Sequence, residues 1–394
     1  MNLAFWQSMK NKKKRFTHSA LLILIAIGST LGFQNCGNQS GFRSYDSSAA
    51  SATSKQNSSI PPKTDTTAPA SGQVPSQVPP EIPPQVPVPT PPQTPVQAPA
   101  PVTEIAPYFY TWGVGKVNSL TEAKKIAGLT SATYAFIISR NGCNLEGSLS
   151  DAITDVKNYI ASGGNLILGF GGASGPYLEE ACTDENQLFN IIDKVIQDTG
   201  SKRIDFDVEG QHILDTNANA RRSHVLARLQ NKYPGLYISL TLATWINGMN
   251  TQSLGVINET LAAGVTISRV NIMTMDFGPQ SKMLGQLCIQ AAQSTLKQLK
   301  AIYPNKTDSQ IYGMMGITPM IGTNDDDTTF TLNDAEQVAR FAKENGVGLL
   351  AFWAFQRDQA QTQAGLTPLN SYSGVVQSDF QYYYTLRSIA GTAP

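Results

Sequence analysis

Eight short runs of apolar and β-branched residues recur through the C-terminal three quarters of the chain. They fall at Ile105–Thr111, Ala132–Ser139, Asn165–Phe170, Arg203–Glu209, Leu236–Leu242, Arg269–Asp276, Gln310–Ile317 and Gly348–Phe355. Helix-like stretches with start signals lie between them, such as Ser119-Leu120-Thr121-Glu122, Asn217–Tyr233, Met283–Ile302 and the stretch opening Asn333-Asp334-Ala335-Glu336. Continuous apolar strands alternating with helices imply a parallel sheet buried on both faces. Eight such units in 291 positions, residues 104–394, favour closure into an α/β (β/α)8 TIM barrel, a fold of about 250 residues, over an open doubly wound sheet. No glycine-rich dinucleotide fingerprint or phosphate loop follows any run, which argues against a nucleotide-dependent enzyme. No cofactor is expected.

The segments before residue 104 differ in kind. Lys10, Lys12, Lys13, Lys14 and Arg15 precede the 14-residue apolar run Ala20–Phe33, the order of an export signal. The run is shorter than the roughly 20 residues that span a bilayer, so residues 1–35 read as a signal peptide. Cys36 follows at once and resembles the lipidated cysteine of bacterial lipoproteins, although Phe33, Gln34 and Asn35 are larger than the residues usual there; lipidation and ordinary cleavage with release both remain open. Residues 36–103 are rich in Ser and then Pro, with 15 of the 23 prolines between Pro61 and Pro101. Such a composition favours a disordered, extended spacer over a packed unit. The chain is thus expected to be exported, lipid-anchored to the cell envelope or secreted, and to work as a monomer.

The balance of 29 basic and 29 acidic side chains argues against a nucleic-acid partner, because counterion release needs a basic surface. Without the five N-terminal cations the remainder carries 24 against 29, a net of −5.

Barrel enzymes place their reactive groups at the C-terminal ends of strands, and the fourth run is the most informative there. In Arg203-Ile204-Asp205-Phe206-Asp207-Val208-Glu209-Gly210, alternation puts Asp205, Asp207 and Glu209 on one face and Ile204, Phe206 and Val208 on the other. The apolar set suits the helix-facing side, leaving three carboxyls stacked toward the barrel interior. Like charges about 6–7 Å apart in a partly dry interior cannot all ionise cheaply. At least one is expected to hold a proton near neutral pH and so to serve as a general acid. Glu209, nearest the strand end and longest, is the candidate; Asp207 could accept a hydrogen bond from substrate, and Asp205 could share a proton with Asp207. A salt-bridged internal network and a divalent-metal site are the other readings of the same acids; no Cys/His spacing suggests zinc.

Asp205-x-Asp207-x-Glu209 resembles the signature of family 18 glycoside hydrolases, the chitinases and their relatives, with Lys202 and Arg203 where the longer family pattern has Asp-Gly. Gly171-Gly172-Ala173-Ser174 resembles the family's Ser-x-Gly-Gly element, with Gly169 at the serine position. Met273-Thr274-Met275-Asp276 resembles its Met-x-Tyr-Asp element, with Met275 in place of tyrosine. Trp353 matches the aromatic floor beneath the sugar.

The resemblance implies a retaining mechanism without an enzyme nucleophile. Glu209 would protonate the glycosidic oxygen, and the substrate's 2-acetamido oxygen would attack the anomeric carbon. Asp207 would orient the acetamido N–H, Asp205 would adjust its pKa, and Asp276 would contact the sugar. Tyr108, Tyr110 or Tyr312 would supply the hydroxyl that Met275 lacks, or activity would be reduced. The implied substrate is a β-1,4-linked N-acetylglucosamine polymer such as chitin. Cleavage of N-glycans or peptidoglycan, and sugar binding without turnover, are the alternatives.

Tyr108, Tyr110 and Trp112 at the first strand end, with Trp245 and Trp353 at the fifth and eighth, suit a sugar groove by stacking on pyranose faces. Cys143 and Cys182 follow the second and third strands, and in an exported protein are expected to pair; Cys288 reads as a buried free thiol. His212 reads as a loop residue or part of the groove. Asp325-Asp326-Asp327 reads as a solvated turn, as a groove wall, or more remotely as a calcium loop.

Overall fold

The computed structural model describes residues 102–110, 116–145, 149–361 and 371–391. The expected signal segment 1–35, Cys36, all but the last two residues of the spacer 36–103, and Trp112 lie outside these. Eight parallel strands follow one another around a closed barrel: β1 in two pieces, Glu104–Ile105 and Tyr108–Tyr110, then β2 Ser131–Ile137, β3 Asn165–Gly171, β4 Arg203–Val208, β5 Tyr237–Trp245, β6 Arg269–Met273, β7 Met315–Thr318 and β8 Leu349–Leu350. The divided first strand makes the closure. Its first piece pairs Glu104 with Leu349 on β8, and its second pairs Tyr108 with Thr133 on β2. Between the pieces, the Ala106 and Tyr108 amides continue the ladder toward β8 by donating to the carbonyls of Leu350 and Phe352.

The helices are α1 Leu120–Ala127, α2 Ile153–Ala161, α3 Leu178–Ala181, α4 Glu185–Thr199, α5 Thr216–Lys232, α6 Thr251–Ala262, α7 Leu284–Ile302, α8 Asp308–Gly313, α9 Leu332–Asn345 and α10 Gln381–Ile389. Ser119 caps α1 as the sequence implies, its hydroxyl accepting from the Glu122 amide at 3.1 Å. Several boundaries differ, and the run Gly348–Phe355 is a strand only at Leu349–Leu350. The run Gln310–Ile317 is not one strand. Thr307 and Gln310 form a capping box that opens α8, and β7 begins only at Met315. Helix α9 is capped by Thr331 with Asp334 rather than at Asn333.

The apolar core lies between the strands and the helix ring, and the barrel interior is filled in layers. At the bottom, Arg203 forms a paired hydrogen bond with Glu104 at 2.7 and 2.6 Å and lies 4.4 Å from the Tyr237 ring. Ala106, Ile167 and Leu349 form a small apolar plug, and polar side chains take over towards the C-terminal end. On β4, Ile204, Phe206 and Val208 are buried in the outer core, with Phe206 stacked on Phe170 at 5.0 Å. That orientation fixes Asp205 and Asp207 inward. Among the described residues no helix is long and apolar enough to cross a membrane.

Candidate active site

Asp205 sits deepest and is held by hydroxyls. Thr241 on β5 lies 3.0 and 2.9 Å from its two oxygens, Ser239 donates to it, and the Tyr108 hydroxyl lies 3.5 Å away. Asn271 joins Tyr108 and Thr241 at 3.3 and 3.0 Å and is itself held by Thr318 at 2.8 Å. Burial pushes Asp205 up to about 6 against these hydrogen bonds. Ser239 and Thr241 carried no signal in the sequence because they look like ordinary strand residues. Gly169 explains the absence of a serine on β3, since a Cβ there would lie 2.6 Å from the Tyr134 carbonyl oxygen.

Asp207 stands one layer higher, 3% exposed, with Oδ1 buried and unpartnered. Its titration is linked to that of Glu209 and to the charge of Asp205, whereas the hydrogen bonds of Asp205 go to Ser239, Thr241 and Tyr108. Burial raises Asp207 well above the usual carboxylate range, and the Glu209 and Asp205 charges add to this. Glu209, just past the end of β4 and partly open at the rim, is pushed up to about 7, by desolvation first and then by Asp276 and Asp325, while its bond to Asp207 works the other way.

The backbone beneath this pair is clamped by a residue the sequence did not flag. Tyr177, 1% exposed, accepts at its hydroxyl from the Glu209 amide at 3.0 Å and lies 2.8 and 2.9 Å from the carbonyl oxygens of Asp207 and Gly172. Its ring stacks on His212 at 3.9 Å, and His212 Nδ1 bonds Glu180 at 2.7 Å. His212 therefore supports the clamp. Tyr177 is the N-terminal cap of α3, which is pinned by the Cys143–Cys182 disulfide at one end and by the buried Glu179–Arg222 ion pair at 2.9 Å. Gly171 and Gly172 have φ of 94° and 93°; Cβ atoms there would fall 2.2 Å from the Asp207 carbonyl oxygen and 2.5 Å from the Phe136 ring. Gly171 thus lets β3 approach β4, and Gly172 leaves room for the Phe136 ring.

Trp353 stacks on Phe136 at 5.8 Å and 8°, with Tyr110 and Tyr108 at 5.6 and 6.1 Å, forming an aromatic floor beside the carboxyls. Trp245 lies at the end of β5 with 40% of its surface open. Met275 and Asp276 occupy the loop after β6, both partly buried, and Asp276 is pushed up to about 6 by burial and then by Asp325 and Asp326. Tyr312 is corrected out of the site: it lies on α8, edge-on to Phe341 at 5.6 Å. The Tyr108 hydroxyl is engaged in the Asp205 network. Cys288 is a buried free thiol 3.3 Å from the Thr274 carbonyl oxygen. Among the described residues no group of three or more His, Cys, Asp or Glu could hold a metal ion.

These shifts have a measurable consequence for stability. Asp205, Glu209 and Asp276 keep protons in the folded state that the unfolded chain releases near pH 4. Between about pH 4 and 7 the native state then binds more protons, and stability falls as pH rises through that window. The melting temperature at pH 7.5 is expected to lie about 5–10 °C below that at pH 5, a drop of a few kcal/mol. Thermal melts across pH check this, and a flat or rising profile would contradict the burial of these acids.

Active domain 2 of the thermostable chitinase from Pyrococcus furiosus, solved as catalytic-site mutants with chito-oligosaccharides, is 32% identical to this chain. The match covers 74% of this chain and 95% of that one with a TM-score of 0.66. The chain belongs to the family 18 glycoside hydrolases. Two curated relatives carry chitinase names. A probable bifunctional chitinase/lysozyme of Escherichia coli is 28% identical over 275 residues, 64% of this chain and 30% of its own length. Endochitinase 11 of Metarhizium anisopliae is 28% identical over 272 residues, 64% of this chain and 52% of its own. The chain thus spans about a third and about half of the lengths of these two. No family model matches it.

Proposed function

We propose that this protein hydrolyses β-1,4-linked N-acetylglucosamine polymers, chitin or chitooligosaccharides, by the retaining, substrate-assisted route. The observation that carries the reading is buried Asp207 with Glu209 above it at the strand end, both raised by burial, beside the Trp353 floor. Glu209, with its pKa near 7, retains a proton for the glycosidic oxygen at neutral pH. As that bond breaks, the acetamido oxygen bonds to the anomeric carbon, giving an oxazolinium ion and a departing alcohol. Asp207, whose Oδ1 lacks a partner, accepts the acetamido N–H and balances the developing positive charge. Glu209 then takes a proton from the incoming water, whose oxygen opens the ring. Asp205 keeps a carboxyl close beneath Asp207, and Asp276 contacts the sugar. An exported protein, lipidated at Cys36 or released after cleavage, fits the N-terminal sequence.

Chitin hexamer and peptidoglycan incubated in parallel test the substrate class, with fresh products followed by proton NMR. Initial release of β-anomers from the hexamer is expected. Initial α-anomers would reject the retaining route, and binding without turnover would favour a lectin. The naming of one relative as chitinase/lysozyme makes peptidoglycan cleavage the second reading.

A further inference from the structure

The acidic turn Asp325-Asp326-Asp327 is absorbed by neither the catalytic pair nor the aromatic floor, yet it is bonded into the site. It lies at the tip of the hairpin Gly322–Thr323 and Thr329–Phe330 that follows β7. The base of this hairpin is anchored on its far side. The Thr323 amide donates to the Ser373 carbonyl at 2.7 Å, and buried Arg357 donates to the Thr323 carbonyl. Asn324, 1% exposed, is fixed by its own amide group, which donates to the Met320 and Gly322 carbonyls at 3.0 Å each. From this support the tip reaches across to the loop after β6. Asn324 Oδ1 accepts from the Asp276 amide at 3.3 Å, and Asp326 Oδ2 accepts from the Gly278 amide at 2.8 Å. In return Asp276 Oδ1 accepts the amides of Asp325 and Asp326 at 2.9 and 3.3 Å. Asp326 is itself oriented by Thr328, whose amide and hydroxyl both donate to Oδ1, at 3.0 and 2.5 Å.

Asp276 has φ of 53°, a left-handed conformation that a non-glycine residue keeps only when its surroundings over-determine it. The hairpin is that surrounding. It also occupies one carboxylate oxygen of Asp276, so the other is the one left to meet a sugar. We propose that Asp326 and Asn324 are positioning residues, which hold Asp276 in its left-handed turn and aim its free oxygen into the groove. The inference rests on the hydrolytic reading for its effect on turnover, but its structural content does not.

The test uses the full chain with Asp326→Ala, and with the milder Asp326→Asn and Thr328→Ala in case the first variant misfolds. Hydrogen exchange is followed in the peptide covering residues 274–281, together with kcat and KM on a chitin oligomer. Exchange there is expected to speed up at least about 10-fold while β4 and β5 stay protected. A misplaced contact at a reacting centre can lose about 10²-fold in rate, so kcat is expected to fall about 30-fold or more for Asp326→Ala and less for the milder variants, with KM within about threefold. Unchanged exchange in residues 274–281 for all three variants overturns the proposal, whatever the wild-type activity. Faster exchange with unchanged kcat in an active enzyme overturns the aiming role. A wild type without turnover counts against the hydrolytic reading and leaves the exchange result to decide the positioning.

Discussion

Glu209→Gln is expected to lose at least about 10³-fold in kcat on chitin oligomers, with KM within about threefold, because an amide keeps the shape of the side chain but has no proton to transfer. Asp207 cannot take over: it sits a layer deeper, 3% exposed, with its unpartnered oxygen buried. The same substitution removes a carboxyl that folding pushes up to about 7. The melting temperature near pH 7.5 should therefore rise, and the decline in stability between pH 5 and 7.5 should become shallower. Loss of turnover with a gain in stability separates removal of an acid from damage to the fold. A variant retaining a tenth or more of wild-type kcat would sink the role assigned to Glu209.

Tyr177→Phe is expected to lower kcat by about 10- to 100-fold, the range for a small misplacement of catalytic groups. The variant deletes one oxygen, but that oxygen serves the Glu209 amide and the Asp207 carbonyl together. The ring and its stack on His212 remain, and α3 stays tied by the Cys143–Cys182 disulfide and by Glu179–Arg222. The stability loss should accordingly stay near the roughly 1–3 kcal/mol of an unsatisfied buried donor, a shift of several degrees. Steady-state kinetics beside thermal melts distinguish the outcomes. A wild-type kcat would mean that β4 holds its own end without the clamp.

Much of the architecture could be read from local pattern. Alternation along Arg203–Val208 decides which side chains face inward, because the strand period of two leaves Ile204, Phe206 and Val208 for the helices and the acids for the interior. Boundaries were less legible where capping outcompeted hydropathy. Gln310–Ile317 is apolar after its first residue, yet the Thr307–Gln310 capping box turns its first half into α8.

The sequence by itself determined the barrel, the strand that bears the acids and the face they occupy, because each follows from residues within a few positions of one another. Only the tertiary structure decided which partners each acid meets. Asp205 is claimed by Tyr108, Ser239 and Thr241, residues 34 to 97 positions away in the chain, while Asp207 keeps a buried oxygen without a partner. The Tyr177 clamp and the hairpin bonds to Asp276, the latter spanning 48 to 50 positions, have the same origin. Each is a small set of polar contacts between distant segments, brought together by barrel closure, and no periodicity records it.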